Sequence, residues 1–108
     1  MKLIICIVDD MDIHALLDAL SEKGFQATKL ASTGGFLKRG NTTLLIGVES
    51  EKKDEVLEII KKICKPRRQM VPMSPMLTVE EAIVPVDVMV KMGGATVFVI
   101  DVEQNFKL

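Results

Sequence analysis

Leu3-Ile4-Ile5-Cys6-Ile7-Val8 is an unbroken apolar run, mostly β-branched, stopped abruptly by Asp9-Asp10. It is too short for a helix of useful length and lacks the alternation of a half-exposed strand, so it reads as a strand buried on both faces. The same pattern returns at Leu44-Leu45-Ile46, within a strand over 42–48, and over Ala95 to Val102. Three such strands require cover on two sides, and this limits the folds open to the chain.

Two amphipathic stretches can cover one side. After the first strand, Asp10 or Asp12 is placed to cap a helix whose apolar stripe is Leu16, Leu17 and Leu20 with Ile13, and Gly24 suits its C′ position. A second strand runs from Phe25 to about Ala31. Following the third strand, Ser50 can cap a helix over roughly 51–65, with Val56, Ile59, Ile60 and Ile63 along one side. Glu51, Glu55, Glu58, Lys61 and Lys62 make its solvated face, and Glu58 to Lys62 is an i,i+4 pair of favourable order.

Pro66-Arg67-Arg68 ends this helix. Arg67 to Val71 reads as a short strand and Val86 to Val90 as strand-like. Pro72, Pro75 and Pro85 mark a long loop over about 66–90. The segments 1–32 and 41–71 then repeat one unit. That gives an α+β fold of ferredoxin-like βαββαβ plan, an antiparallel sheet with two helices on one face. Because helices cover only one face of doubly apolar strands, the other face should meet further copies of the chain, a homo-oligomer.

At 108 residues the chain is read as a single domain spanning 1–108. Its net charge of -1 offers no general attraction for a nucleic acid polymer or an anionic membrane, so any anion site must be local. The opening apolar run is too short for a leader or a membrane span, which points to the cytoplasm. Cys6 and Cys64 have no metal-ligand or disulfide spacing and read as buried free thiols, as in a reducing compartment. The one histidine, His14, falls in a helix turn with no second ligand or base beside it. No nucleophile set, paired-carboxylate motif or metal cluster is visible, so a catalytic residue, a metal and a cofactor are all expected to be absent, and the protein to be non-enzymatic.

The stretch from Gln26 to Thr43 carries the functional signal. It holds Gly34, Gly35 and Gly40 beside Phe36, with Thr28, Ser32, Thr33, Asn41, Thr42 and Thr43 as short polar groups and Lys29, Lys38 and Arg39 as local charge. Glycine admits a ligand close to the backbone, and successive N–H groups in such a turn form an anion nest. The set suits a compact anionic ligand with a flat, hydrogen-bonding base. A polar hairpin that binds nothing has the same composition.

Ala27-Thr28-Lys29-Leu30-Ala31-x-Thr33-Gly34-Gly35-Phe36-Leu37-x-x-Gly40-Asn41-Thr42-Thr43, then Gly47-Val48 and Gly93-Gly94-Ala95-Thr96-Val97-Phe98-Val99, resembles the cyclic di-AMP receptor proteins of the PII-like superfamily. The resemblance runs from residue 1 to about 102. It implies a PII-like homotrimer with the sheets facing the three-fold axis, one cyclic di-AMP in each cleft between subunits, a short loop at 32–40, a long one at about 66–90, and signalling to an unknown protein target by loop rearrangement. Carried onto this chain, it assigns ligand contacts to Ala27, Thr28, Gly35, Phe36, Leu37, Asn41, Gly47, Gly93 and Phe98. Asn41 can pair with an adenine edge through its amide donor and acceptor. Phe36, Leu37 and Phe98 would cover a base, Thr28 would offer a hydroxyl to phosphate, and Gly35, Gly47 and Gly93 would let the ligand approach the backbone. Gln26 stands where the family often has Arg, so it can hydrogen-bond a phosphate but adds no charge. The alternative is a PII-like sensor of another adenine nucleotide such as ATP.

Overall fold

The computed structural model describes residues 1–30, 40–73 and 86–108. The elements are β1 (Lys2–Asp9), α1 (Ile13–Glu22), β2 (Ala27–Leu30), β3 (Asn41–Val48), α2 (Lys53–Ile63), β4 (Arg67–Met73), β5 (Val86–Met92) and β6 (Ala95–Asp101). Four strands form one antiparallel sheet in the order β2-β3-β1-β6, while β4 and β5 pair only with each other as a separate antiparallel ribbon.

This α+β arrangement is compatible with the ferredoxin-like plan, with one correction to the sequence reading. The strand at 67–73 does not complete the second half-unit; β6 takes the fourth place in the sheet, beside β1. Within the 66–90 region the described residues form β4 and the start of β5, and 74–85 lie outside the described residues. A run of residues with alternating backbone pairing reads locally the same whether its partner is the main sheet or a private hairpin, and only the tertiary pairing separates the two cases.

One face of the sheet is the core. Ile4, Cys6 and Val8 of β1 and Leu44, Ile46 and Val48 of β3 are buried, at strand period, beneath Leu16 and Leu20 of α1 and Val56 and Ile60 of α2. Each fully buried aliphatic side chain contributes about 1.5–3 kcal/mol, so this one face anchors the domain. Cys6 and Cys64 are both free and buried here. Burial pushes the Cys6 thiol up to about 11 and that of Cys64 to about 12, the latter helped by the nearby carboxylate of Asp12.

The helix ends follow local chemistry, though not always the residues first assigned. Gly24 closes α1 with φ +80, and Gly24 and Phe25 donate to the carbonyls of Ser21 and Leu20 in a Schellman arrangement. The entry to α1 is a short 3-10 turn, Asp10–Asp12, capped by Asp9, whose carboxylate accepts from the Met11 N–H. Neither Asp10 nor Asp12 caps. Asp12 stands at the N-cap of α1 without a side-chain cap bond because its carboxylate is committed elsewhere. Likewise Ser50 belongs to a 3-10 turn (Ser50–Lys52) ahead of α2, and its hydroxyl meets the amino terminus instead. On α2 the described ion pair at helical spacing is Lys52 with Glu55, not Glu58 with Lys62.

Among the described residues no helix lies over the opposite face of the sheet. Cross-strand rows there read Leu30–Thr43–Ile7–Thr96, Thr28–Leu45–Ile5–Phe98 and Gly47–Leu3–Ile100. Phe98 is 53% exposed, Ile100 47% and Leu30 44%, so a contiguous apolar surface stands open. No described helix is long and apolar enough to cross a membrane.

Candidate functional site

Three acidic residues at the end of β1 organise one end of the open face. Asp9 is the last residue of β1 and is paired across the ladder with Asn41, the first of β3. Its carboxylate accepts from Met11 N–H at 2.9 Å and from Gly93 N–H at 3.4 Å. Asp10 follows; its N–H donates to the Gly40 carbonyl at 2.7 Å, and its carboxylate accepts from the Thr42 hydroxyl. Asp12, buried, receives two hydrogen bonds from the Arg67 guanidinium, at 2.8 and 3.3 Å. This fork raises the Arg67 pKa further, first through the hydrogen bond and then through the charge of Asp12. One short turn thus ties together the start of β3, the start of β4 and the chain just after β5.

Asp10 and Asp12 were read from sequence as helix caps, and Asp9 as the end of the first strand. Three carboxylates within four residues exceed what one helix start can use, and that excess is the signal that could have pointed to further partners. Arg67 lies 55 positions from Asp12, and nothing local marks the pair.

Of the residues singled out in the sequence, Asn41 and Gly93 come together at this end, on either side of Asp9. Asn41 is exposed on the open face, while the next residue, Thr42, faces the core. Thr28 and Gly47 are also exposed on the open face, and nothing lies within 4 Å of where a Cβ on Gly47 would stand. Ala27 lies on the helix side, half-buried against the core. Gly35, Phe36 and Leu37, with most of the 32–40 segment, fall outside the described residues.

Two separations matter. Thr28 and Phe98 occupy the same cross-strand row but opposite edge strands, β2 and β6. Three strand spacings put them about 14 Å apart. Asn41 and Gly47, six residues apart on β3, are separated by roughly 20 Å. Beside each edge strand lies a groove. One of about 540 Å³, between α1 and β2, is lined by Leu17, Asp18, Ser21, Phe25 and the Gln26-Ala27-Thr28 segment. The other, of about 260 Å³ and more apolar, lies between α2 and β6 and includes Gly94, Ala95 and Val97. A third groove of about 570 Å³, along α2 and Lys23, holds none of the residues singled out.

Gly93 was read as a place of close backbone approach, and the structure supplies an approaching group from within the chain. A Cβ at Gly93 would stand 2.2 Å from the Lys65 carbonyl oxygen, at φ +85. Gly94 in turn donates to the Cys64 carbonyl at 2.6 Å. The glycine pair therefore closes the neck where the ribbon leaves and rejoins the domain. Gly93→Ala combines a left-handed backbone, costing roughly 1–2 kcal/mol without glycine, with a backbone clash. We expect a loss of at least about 2 kcal/mol in urea unfolding, and an unchanged midpoint would mean that the neck rearranges freely.

Over residues 1–108 the chain matches the family model described as cyclic-di-AMP receptor. Among solved structures it is similar to the crystal structure of a functionally unknown protein from Pediococcus pentosaceus, with 42% identity and a TM-score of 0.75 over 99% of this chain and 96% of that one.

Proposed function

Since this chain belongs to the cyclic-di-AMP receptor family, we propose that it binds cyclic di-AMP in clefts between the subunits of a PII-like homotrimer and signals, without catalysis, through the segments around the cleft to a protein target. The placement of Thr28 and Phe98 on opposite sheet edges carries the inter-subunit part of this reading. One compact ligand reaches both types of edge where β2 of one copy stands beside β6 of the next, and a cyclic assembly repeats that junction. The open apolar face supports the same assembly, because three copies would shield Leu3, Ile5, Ile7 and Ile100 from water.

Electrostatics divide the cleft. The Asn41 end lies next to the turn that carries Asp9, Asp10 and Asp12, of which, among the described residues, Asp12 has an arginine partner. Carboxylates repel phosphate, so this end suits the base, whose exocyclic amine is a donor. The β2 edge, with Thr28, Gln26 and the exposed Lys29, suits the phosphates. Gly47, with open space above it, gives room for the second base.

A thermal-shift comparison of cyclic di-AMP, cyclic di-GMP and ATP tests the reading. A ligand at 100 times its Kd stabilises by about 2.7 kcal/mol, which for a domain of this size raises Tm by roughly 10 °C. We expect that rise with cyclic di-AMP alone. A rise with ATP and none with cyclic di-AMP would identify a different adenine-nucleotide sensor, and no rise with any of them would end the receptor reading.

A further inference from the structure

We propose that Asp10 is the positioning residue for Asn41, setting the direction in which that amide meets the adenine edge. The proposal rests on the receptor reading above and adds a residue to it. Asp10 grips both neighbours of Asn41: its N–H donates to the Gly40 carbonyl at 2.7 Å, and its carboxylate accepts from the Thr42 hydroxyl. Asn41 itself takes no part in these bonds, and its exposed side chain lies on the opposite face of the strand from that of Thr42.

The clamp is needed at this position. Asp9 opposite Asn41 is the last pair of the β1–β3 ladder, and among the described residues β2 pairs with β3 as far as Thr43. Asn41 is the first residue of β3, and among the described residues its ladder partner is Asp9. Before it comes Gly40 at φ +105, a residue with no side chain to anchor it. Strand ends of this kind open most easily. Because side chains alternate along a strand, fixing Thr42 toward the core fixes Asn41 toward the open face. Asp10 is itself held by the turn it occupies, capped by Asp9 on Met11 and anchored by Asp12 on Arg67. The acidic turn thus stands to Asn41 as a support stands to a recognition residue, locking its geometry from behind.

Titration of cyclic di-AMP into four proteins tests this: wild type, Asp10→Ala, Asn41→Ala and the double variant. Asp10→Ala should weaken binding about tenfold in the wild-type background and less than twofold when Asn41 is already alanine, since its effect passes through that amide. Asp10→Asn keeps an acceptor for the Thr42 hydroxyl and should bind within twofold of wild type. Thr42→Val, similar in shape but without the hydroxyl, repeats the question should Asp10→Ala fold poorly. An equal loss in both backgrounds would reduce Asp10 to a general structural role, and no loss would remove it from the site. If wild type itself fails to bind cyclic di-AMP, the receptor reading falls and this inference with it; wild-type binding with an indifferent Asp10→Ala overturns the inference alone.

Discussion

Asn41→Ala should lower affinity for cyclic di-AMP by roughly 30-fold while leaving the fold and the assembly unchanged. A bidentate amide–adenine pair provides about 1–3 kcal/mol of discrimination, and the middle of that range corresponds to the stated factor. The side chain is exposed and makes no hydrogen bond among the described residues, so its removal costs the fold little. Cyclic di-GMP presents a carbonyl where adenine presents an amine. Any residual affinity for it should be nearly indifferent to the substitution, because a site that hydrogen-bonds one edge gains little from the other. Calorimetric titration with both ligands gives the answer. Equal losses for the two would show that Asn41 shapes the cleft without reading the base.

Ile5→Asp should break the assembly and abolish ligand binding together. Ile5 is the middle of the row Thr28–Leu45–Ile5–Phe98 on the open face, whereas Ile4 and Cys6, its neighbours in sequence, point into the core. The substitution therefore leaves the helix-covered core intact. In the proposed trimer it places a carboxylate in each of three copies of one apolar contact, at a cost of several kcal/mol per unpaired charge. Light scattering should then report a single chain's mass of 11.9 kDa, in place of three. Cyclic di-AMP affinity should fall by about 100-fold or more, because in the proposed assembly Thr28 of one copy and Phe98 of the next line one cleft. A variant that keeps the wild-type mass would show that this face is not the interface, and a monomer that binds normally would place the site within one chain.

The sheet was legible because its signal is local. Apolar runs at 3–8, 44–46 and 97–100 mark β1, β3 and β6, and the stripes of Ile13, Leu16 and Leu20 and of Val56 and Ile60 mark the two helices that cover them. Gly24 announced a helix end by chemistry that involves only its neighbours. What failed to show was long-range. Arg67 to Val71 has the composition of a strand, but composition carries no record of which strand it pairs with, so the ribbon was mistaken for the return of the main sheet. Asp10 and Asp12 were each a plausible cap, and their true partners, Thr42 and Arg67, lie 32 and 55 positions away. Gly93 was read as a point of close approach for a ligand; the group that crowds it in the structure is the Lys65 carbonyl, beyond the reach of any local pattern.

The neck formed by Cys64 and Gly94 has a consequence for how such a chain can vary. A hydrogen bond of 2.6 Å joins the residue just before the ribbon to the residue just after it. The two ends of the intervening segment, 65–93, are thus held side by side, with Arg67 and Gly93 tied to the acidic turn. Residues added or lost in pairs between β4 and β5 would lengthen or shorten the ribbon without shifting the register of β6 against β1. The domain is divided into a part whose geometry is fixed by its own packing and a part whose length is free to drift. A lineage could refashion what the ribbon offers to the outside while the four-stranded sheet stays as it is.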